Sequence, residues 1–257
     1  MANIYHLNCV KIVSPINANV CGHCLLIEEK NKLILVDTGV GLLDTQKPLE
    51  RIGKKLIDMV GYRFDESQTA IRQIENLGFD PKKVTDCIIS HLDNDHVGGL
   101  ADFPDATIHV GIEEFENFTS DNQRYLKTPL SHNPIIKTYK KNACDWFGFE
   151  ARRIIADIET EIFLIPLFGH TLGHCGVALK NHNKWLFYIA DAYYMRVELT
   201  DNNHLVNELA KMRADDNELR LSTLNKIRKL TKEHPEIEIF SYHDIKEFKI
   251  YKNRSKK

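Results

Sequence analysis

The sequence predicts an α/β fold in which two β-sheets pack together with helices on the outside. Three observations carry this. Strand-like runs come in two batches, each followed by helical sequence. The helical stretches repeat their apolar residues at a helical period. Histidines and aspartates gather where the strand-like runs end, the places from which a rigid scaffold projects functional groups.

The first batch covers Ile4 to Val13, Val20 to Glu28 and Lys32 to Asp37, with Lys30-Asn31-Lys32 as a turn. Thr38-Gly39 breaks the third run, and a stretch rich in Lys, Leu and Ile reads as helical through Met59. Ile71, Ile74 and Leu77 give Gln68 to Leu77 a helical period, and Gly78 supplies its stop. Pro81 leads into the apolar run Val84 to Ser90, followed by a short strand, Thr107 to Val110, and a short helix, Glu113 to Phe118.

Residues 119–149 have no clear period, are polar and aromatic, and include Pro129 and Pro134. They read as an insertion covering a site within one domain, residues 1–257. The second batch follows at Glu161 to Leu167, Cys175 to Leu179 and Trp185 to Ala190. A long polar helix, Asn217 to Lys232, separates it from a last strand, Glu236 to Tyr242. The two-batch layout resembles a duplicated unit, although no sequence repeat is visible.

With 34 basic and 36 acidic side chains, the chain lacks the overall positive charge that nucleic acid selects. The basic end, Lys252 to Lys257, reads as a solvated tail. No apolar stretch approaches the roughly 20 residues of a membrane span, and the start lacks a secretory pattern. The expectation is a cytoplasmic protein with reduced cysteines, acting on a small molecule, with no nucleic-acid or membrane partner. Cys21-Gly22-His23-Cys24 has the spacing of a dithiol redox motif, which needs a helix N-terminus to activate its first thiol. Here it runs into a strand–turn–strand pattern, so small core-facing residues are the preferred reading.

His91-Leu92-Asp93-Asn94-Asp95-His96 directly follows the run Val84 to Ser90. Imidazoles and carboxylates this dense at a strand end resist desolvation unless a cation holds them. Four further strand-end positions add to it: Asp37-Thr38-Gly39, Gly169-His170-Thr171-Leu172-Gly173-His174, Asp191 and His243. Each alone is weak. Together and in this order they predict a metal centre.

The same residues make the chain resemble the metallo-β-lactamase-fold superfamily over Asp37 to His243. That resemblance implies a four-layer αβ/βα sandwich holding two divalent ions. Carried over by position, His91, Asp93 and His170 would hold one ion. Asp95, His96 and His243 would hold the other, Asp191 would bridge them, and Asp37 would orient the ligand loop. Within the superfamily the wording is similar to the N-acyl-homoserine-lactone lactonases: Ser90-His91-Leu92, Asp95-His96-Val97-Gly98-Gly99 and His243-Asp244-Ile245. The implied activity is hydrolysis of a lactone or ester-like acyl bond by water activated between the ions. Asp95 would ligate and orient that water, and Tyr194, three residues after Asp191, would stabilise the oxyanion. Ordinary packing is the alternative for Tyr194.

Position 93 departs from the pattern, which has histidine there. Aspartate is shorter, harder and charged, so zinc is expected with iron or manganese as alternatives at the first site. Asp93 is either a ligand or an outer residue beside a half-filled site. A diiron redox enzyme and a non-catalytic metal-binding or sensing protein are the rival functions. His174 reads as packed beside the third motif. His6, His23, His109, His132, His182, His204 and His234 lack spacing partners and read as structural or surface residues; His132 lies in the covering segment.

Overall fold

Long apolar runs in the first third build one side of the molecule. The computed structural model describes residues 2–14 and 20–254. Strands β1 (Asn3–Ile12), β2 (Val20–Glu29) and β3 (Lys32–Val36) form an antiparallel meander. Lys30 and Asn31 join β2 to β3 with φ of 51° and 65°. Two consecutive left-handed residues make the tight turn whose twist suits a hairpin.

The helical sequence after β3 forms three short helices, α1 (Leu42–Gln46), α2 (Pro48–Arg51) and α3 (Lys54–Val60). Pro48 has no N–H to continue a helix and starts α2, while Gly53, at φ 86°, separates α2 from α3. The two-residue β4 (Tyr62–Arg63) pairs with β1, and α4 (Ala70–Asn76) ends before Gly78, which has φ of 84°.

β5 (Val84–Ile88) joins β3 in parallel, α5 (Asn94–Val97) follows, and β6 (Thr107–Gly111) joins β5 in parallel. After α6 (Ile112–Thr119), β7 (Ile136–Tyr139) extends the sheet in parallel with β6. The sheet order is β4-β1-β2-β3-β5-β6-β7. The irregular segment 119–149 therefore contributes an edge strand. It also holds β8 (Asp145–Trp146), which forms a small ribbon with β9 (Phe149–Glu150).

The second sheet has the order β10 (Arg152–Arg153), β11 (Ile162–Pro166), β12 (Cys175–Asn181), β13 (Lys184–Tyr188) and β14 (Glu238–Phe240). Between β13 and β14 lie α7 (Val206–Arg213), not foreseen in the sequence, and α8 (Asn217–Glu233). The long connection is the crossover that the parallel β13–β14 pair requires. The Asp216 carboxylate caps α8 by accepting from Leu219 N at 2.9 Å.

One apolar core unites the facing sheets, with Leu25, Ile27 and Ile34 from the first and Leu164, Val177 and Phe240 from the second. A second cluster packs Leu224, Ile227 and Leu230 of α8 on the outer face of β11–β13. Their spacing gives α8 one apolar stripe, each side chain stabilising by about 1.5–3 kcal/mol. The layers are those of the sandwich expected from the two strand batches. The last helix, α9 (Ile245–Arg254), includes Lys252, Asn253 and Arg254 of the basic end; residues 255–257 lie outside the described residues. Among the described residues no helix is long and apolar enough to cross a membrane.

Candidate metal centre

Each candidate metal-ligating side chain stands just beyond a strand, on a connecting loop or, for Asp95 and His96, on α5. Asp37 ends β3 with φ of 52°, a left-handed conformation that aspartate tolerates better than most residues. Its N–H donates to Ile88 O at 3.0 Å, and Thr38 N donates to His96 O at 2.8 Å. These bonds fasten the β3 and β5 loops together. Asp93 precedes α5 and its carbonyl accepts from His96 N at 2.9 Å, so the first turn presents Asp95 and His96. The loop after β11 bends at Gly169, with φ of 129°, where a Cβ would stand 2.2 Å from Arg220 N. Only glycine fits there. Cys175 N donates to Ser90 O at 2.9 Å and joins this loop to the first. Asp191 follows β13, His243 follows β14, and Tyr242 N donates to Ala190 O at 3.1 Å between them.

Four imidazole Nε2 atoms converge on the Asp191 carboxylate. Its Oδ2 lies 4.0 Å from His91, 3.4 Å from His170 and 3.3 Å from His243, and its Oδ1 lies 3.4 Å from His96. Asp95 Oδ2 is 3.5 Å from His243 Nε2. The donors fall into two sets, His91–His170–Asp191 and Asp95–His96–His243. Zinc–ligand bonds of about 2.0–2.1 Å place tetrahedral donors about 3.3–3.4 Å apart, which most of these separations match. Among the described residues, His91 Nε2, His96 Nε2 and Asp191 Oδ1 are buried without a hydrogen-bond partner. Uncompensated buried donors facing one point are what a cation would satisfy. The residues fit two divalent ions.

The far sides of the rings are held. His96 Nδ1 donates to Asp37 Oδ2 at 2.8 Å, and His243 Nδ1 donates to Cys21 O at 3.0 Å. A carboxylate and a carbonyl both accept, so each ring holds a proton on Nδ1 and leaves Nε2 as the nitrogen that could bind an ion. Asp37 also accepts from Ser90 N, Ser90 Oγ and the Tyr188 hydroxyl. His91 Nδ1 is 3.0 Å from Ser90 Oγ. His174 uses both nitrogens elsewhere: Nδ1 donates to Leu167 O at 3.0 Å, and Nε2 accepts from Asp191 N at 3.1 Å. Burial and the neighbouring His170 push it down to about 3, so it is a neutral brace for the Asp191 backbone.

Asp93 has a different partner. Arg124 Nε and Nη2 donate to its Oδ1 and Oδ2 at 2.7 and 2.6 Å. Asp93 Oδ2 still lies 3.5 Å from His91 Nε2 and 3.3 Å from His170 Nε2. Arg124 comes from the 119–149 segment, so part of that segment reaches the site, and sequence reading did not single it out. Another residue missed is Glu114. Its buried carboxylate accepts from Leu92 N, the Tyr125 hydroxyl and the Thr171 hydroxyl at 2.8, 2.9 and 2.5 Å, tying both ligand loops to the same segment. Burial pushes Glu114 up to about 7.

Cys21 and Cys24 sit within β2 and are buried. Burial pushes the Cys21 thiol far up, and its Sγ donates to Tyr242 O at 3.3 Å. Among the described residues, both lie in mid-strand and not at a helix N-terminus. His23 pairs with His6 at 2.7 Å, and His109 with Asp86 and Tyr139 at 2.6 and 2.7 Å, as core histidines do.

A cavity of about 590 Å³ opens onto the donors, with Asp93, Asp95, Asp191, Tyr194 and His243 at one end. Ile12, Val20, Met59, Val60, Val206 and Leu209 make the rest mostly apolar, and Arg213 also lines it. The Tyr194 hydroxyl is 3.5 Å from His170 Nδ1, and its backbone N donates to the buried Glu198 at 2.7 Å.

A profile of the metallo-beta-lactamase superfamily matches residues 22–243. A probable metallo-hydrolase of Mycobacterium bovis is 34% identical over 198 residues, covering 75% of this chain and 63% of that protein. The match thus spans less than two thirds of that relative's length. An N-acyl homoserine lactonase of a Bacillus species is 24% identical over 225 residues, 87% of this chain and 81% of that protein. Among solved structures, a Bacillus thuringiensis AiiA mutant with N-decanoyl-L-homoserine bound at its active site aligns with a TM-score of 0.72 at 22% identity. That alignment covers 96% of this chain and 95% of the other. Fold, ligand order and profile agree: the chain belongs to the metallo-β-lactamase superfamily.

Proposed function

We propose that this protein is a metal-dependent hydrolase that opens a lactone or cleaves an ester-like acyl bond in a small molecule. The observation that carries the reading is the convergence of four imidazole Nε2 atoms on Asp191 at the end of a largely apolar cavity. His91, His170 and Asp191 would hold one divalent ion and Asp95, His96 and His243 the other, with Asp191 between them. The imidazole-rich donor set favours zinc. Bound ions would polarise the acyl carbonyl and lower the pKa of water toward neutrality.

The chain's own residues do the rest. The apolar wall accepts an acyl chain and excludes water from the reacting end. Tyr194 lines the same cavity and carries a hydroxyl able to donate to the carbonyl or leaving oxygen. Asp95, at the cavity's end, supplies a carboxylate that orients the attacking water. An iron-based redox role would draw on oxygen donation from Asp93, whose two oxygens accept from Arg124. That pairing favours hydrolysis.

The test is a panel of N-acyl lactones, aryl esters, thioesters and phosphodiesters given to the metal-loaded protein. Lactone or ester turnover should rise with acyl-chain length, and Tyr194→Phe should lower kcat by about 10- to 100-fold with a smaller change in KM. Phosphodiester cleavage without turnover of any acyl substrate would overturn the reading.

A further inference from the structure

Arg124 stands where it matters to only one of the two donor sets. Its fork takes both oxygens of Asp93, and Nη2 also lies 2.9 Å from His170 Nε2. That nitrogen belongs to the His91–His170–Asp191 set. The guanidinium therefore donates to the lone pair that an ion in this set would need. From behind, Arg124 Nη1 is anchored by Asp215 Oδ1 at 3.0 Å and by Arg213 O at 2.7 Å. The side chain is only 12% exposed, so solvent screens it little. Among the described residues, no arginine or lysine hydrogen-bonds to the side chains of Asp95, His96 or His243.

We propose that Arg124 is a built-in rival cation at the first metal position. It competes with the ion for His170 and holds Asp93 as its own counter-ion. The first position is thereby the weaker of the two and fills second. Arginine keeps its charge at any ordinary pH, so the competition is fixed by geometry. When an ion enters, Nη2 must leave His170 while the fork stays on Asp93. This inference rests on the reading that the cluster holds two ions.

The experiment titrates metal-free protein with Zn²⁺ against a chromophoric chelator, and with Co²⁺ followed by its visible absorption. Two equivalents should bind to the wild type, the second at least about tenfold more weakly. Arg124→Met should tighten that weaker equivalent by about 10- to 100-fold and move the tighter one less than about threefold. Asp215→Asn, which loosens Arg124 without touching a ligand, should act in the same direction by a smaller factor. It carries the test if Arg124→Met does not fold. The opposite role, Arg124 orienting Asp93 as a ligand, gives the opposite sign: the variants would weaken the second equivalent. That result, no change, or two equal equivalents in the wild type would overturn the proposal and leave the two-ion reading standing. Failure of the wild type to bind any metal would overturn both.

Discussion

The two donor sets are built from similar residues, and what stands behind them differs most at His170. His96 and His243 rest on acceptors buried in the core, the Asp37 carboxylate and the Cys21 carbonyl, with Ser90 and Tyr188 securing Asp37 in turn. Across Asp191, His170 has Tyr194 at 3.5 Å on one nitrogen and Arg124 at 2.9 Å on the other. One half is preorganised by neutral and anionic acceptors that raise the basicity of its ligands. In the other, His91 reaches the same network through Ser90 Oγ, but His170 meets a cation from a peripheral segment. Two donor sets with nearly the same inner residues can therefore be made to differ by what stands behind them.

The sharpest way to break this contrast is Asp37→Asn, since asparagine tolerates the left-handed backbone and loses the charge. It should weaken metal binding by Asp95, His96 and His243 by about 10- to 100-fold and the His91–His170–Asp191 set by a smaller factor, since Asp37 reaches His91 only through Ser90, measured by chelator competition. Equal weakening of both would erase the distinction. Glu114→Gln tests the brace on the other side. Its amide cannot accept from all three donors, so the variant should lose about 1–3 kcal/mol of stability by urea denaturation. Unchanged stability would mean that the two ligand loops hold together without it. The smallest effect is expected for Cys21→Ser, because Cys21 serves His243 through its backbone oxygen. Metal binding and turnover should stay within about twofold of wild type with or without reductant, the hydroxyl replacing the thiol's hydrogen bond to Tyr242 O. Loss of turnover on oxidation in the wild type but not in this variant would revive a redox role for the thiol.

What could be read from the sequence follows from how local the cause is. His91, Asp95, His96, His170, Asp191 and His243 stood out because polar groups crowded at strand ends are costly to bury without a cation, and the structure brings all six together. The two sheets were legible as two batches of apolar runs. The helices near residues 40–59 blurred into one because apolar content spans breaks that Pro48 and Gly53 impose. Arg124 left no signal: an arginine in an aperiodic polar stretch looks solvated, and only the path from β6 to β7 carries it to Asp93. Glu114 looked like an ordinary polar position on a short helix. It is buried because that helix lies against the loops of His91 and His170. Position 93 was marked as the departure, but its partner is set by tertiary structure alone.

The crossover from β13 through α8 to β14 has a consequence for the order of assembly. Asp191 stands at its start and every other candidate ligand except His243 precedes it, yet His243 reaches the others only after the last strand docks in parallel beside β13. Pairings between distant parts of a chain form late, since the loop must close before any contact rewards it. The His243 position should thus be completed late in folding, when β14 closes the second sheet.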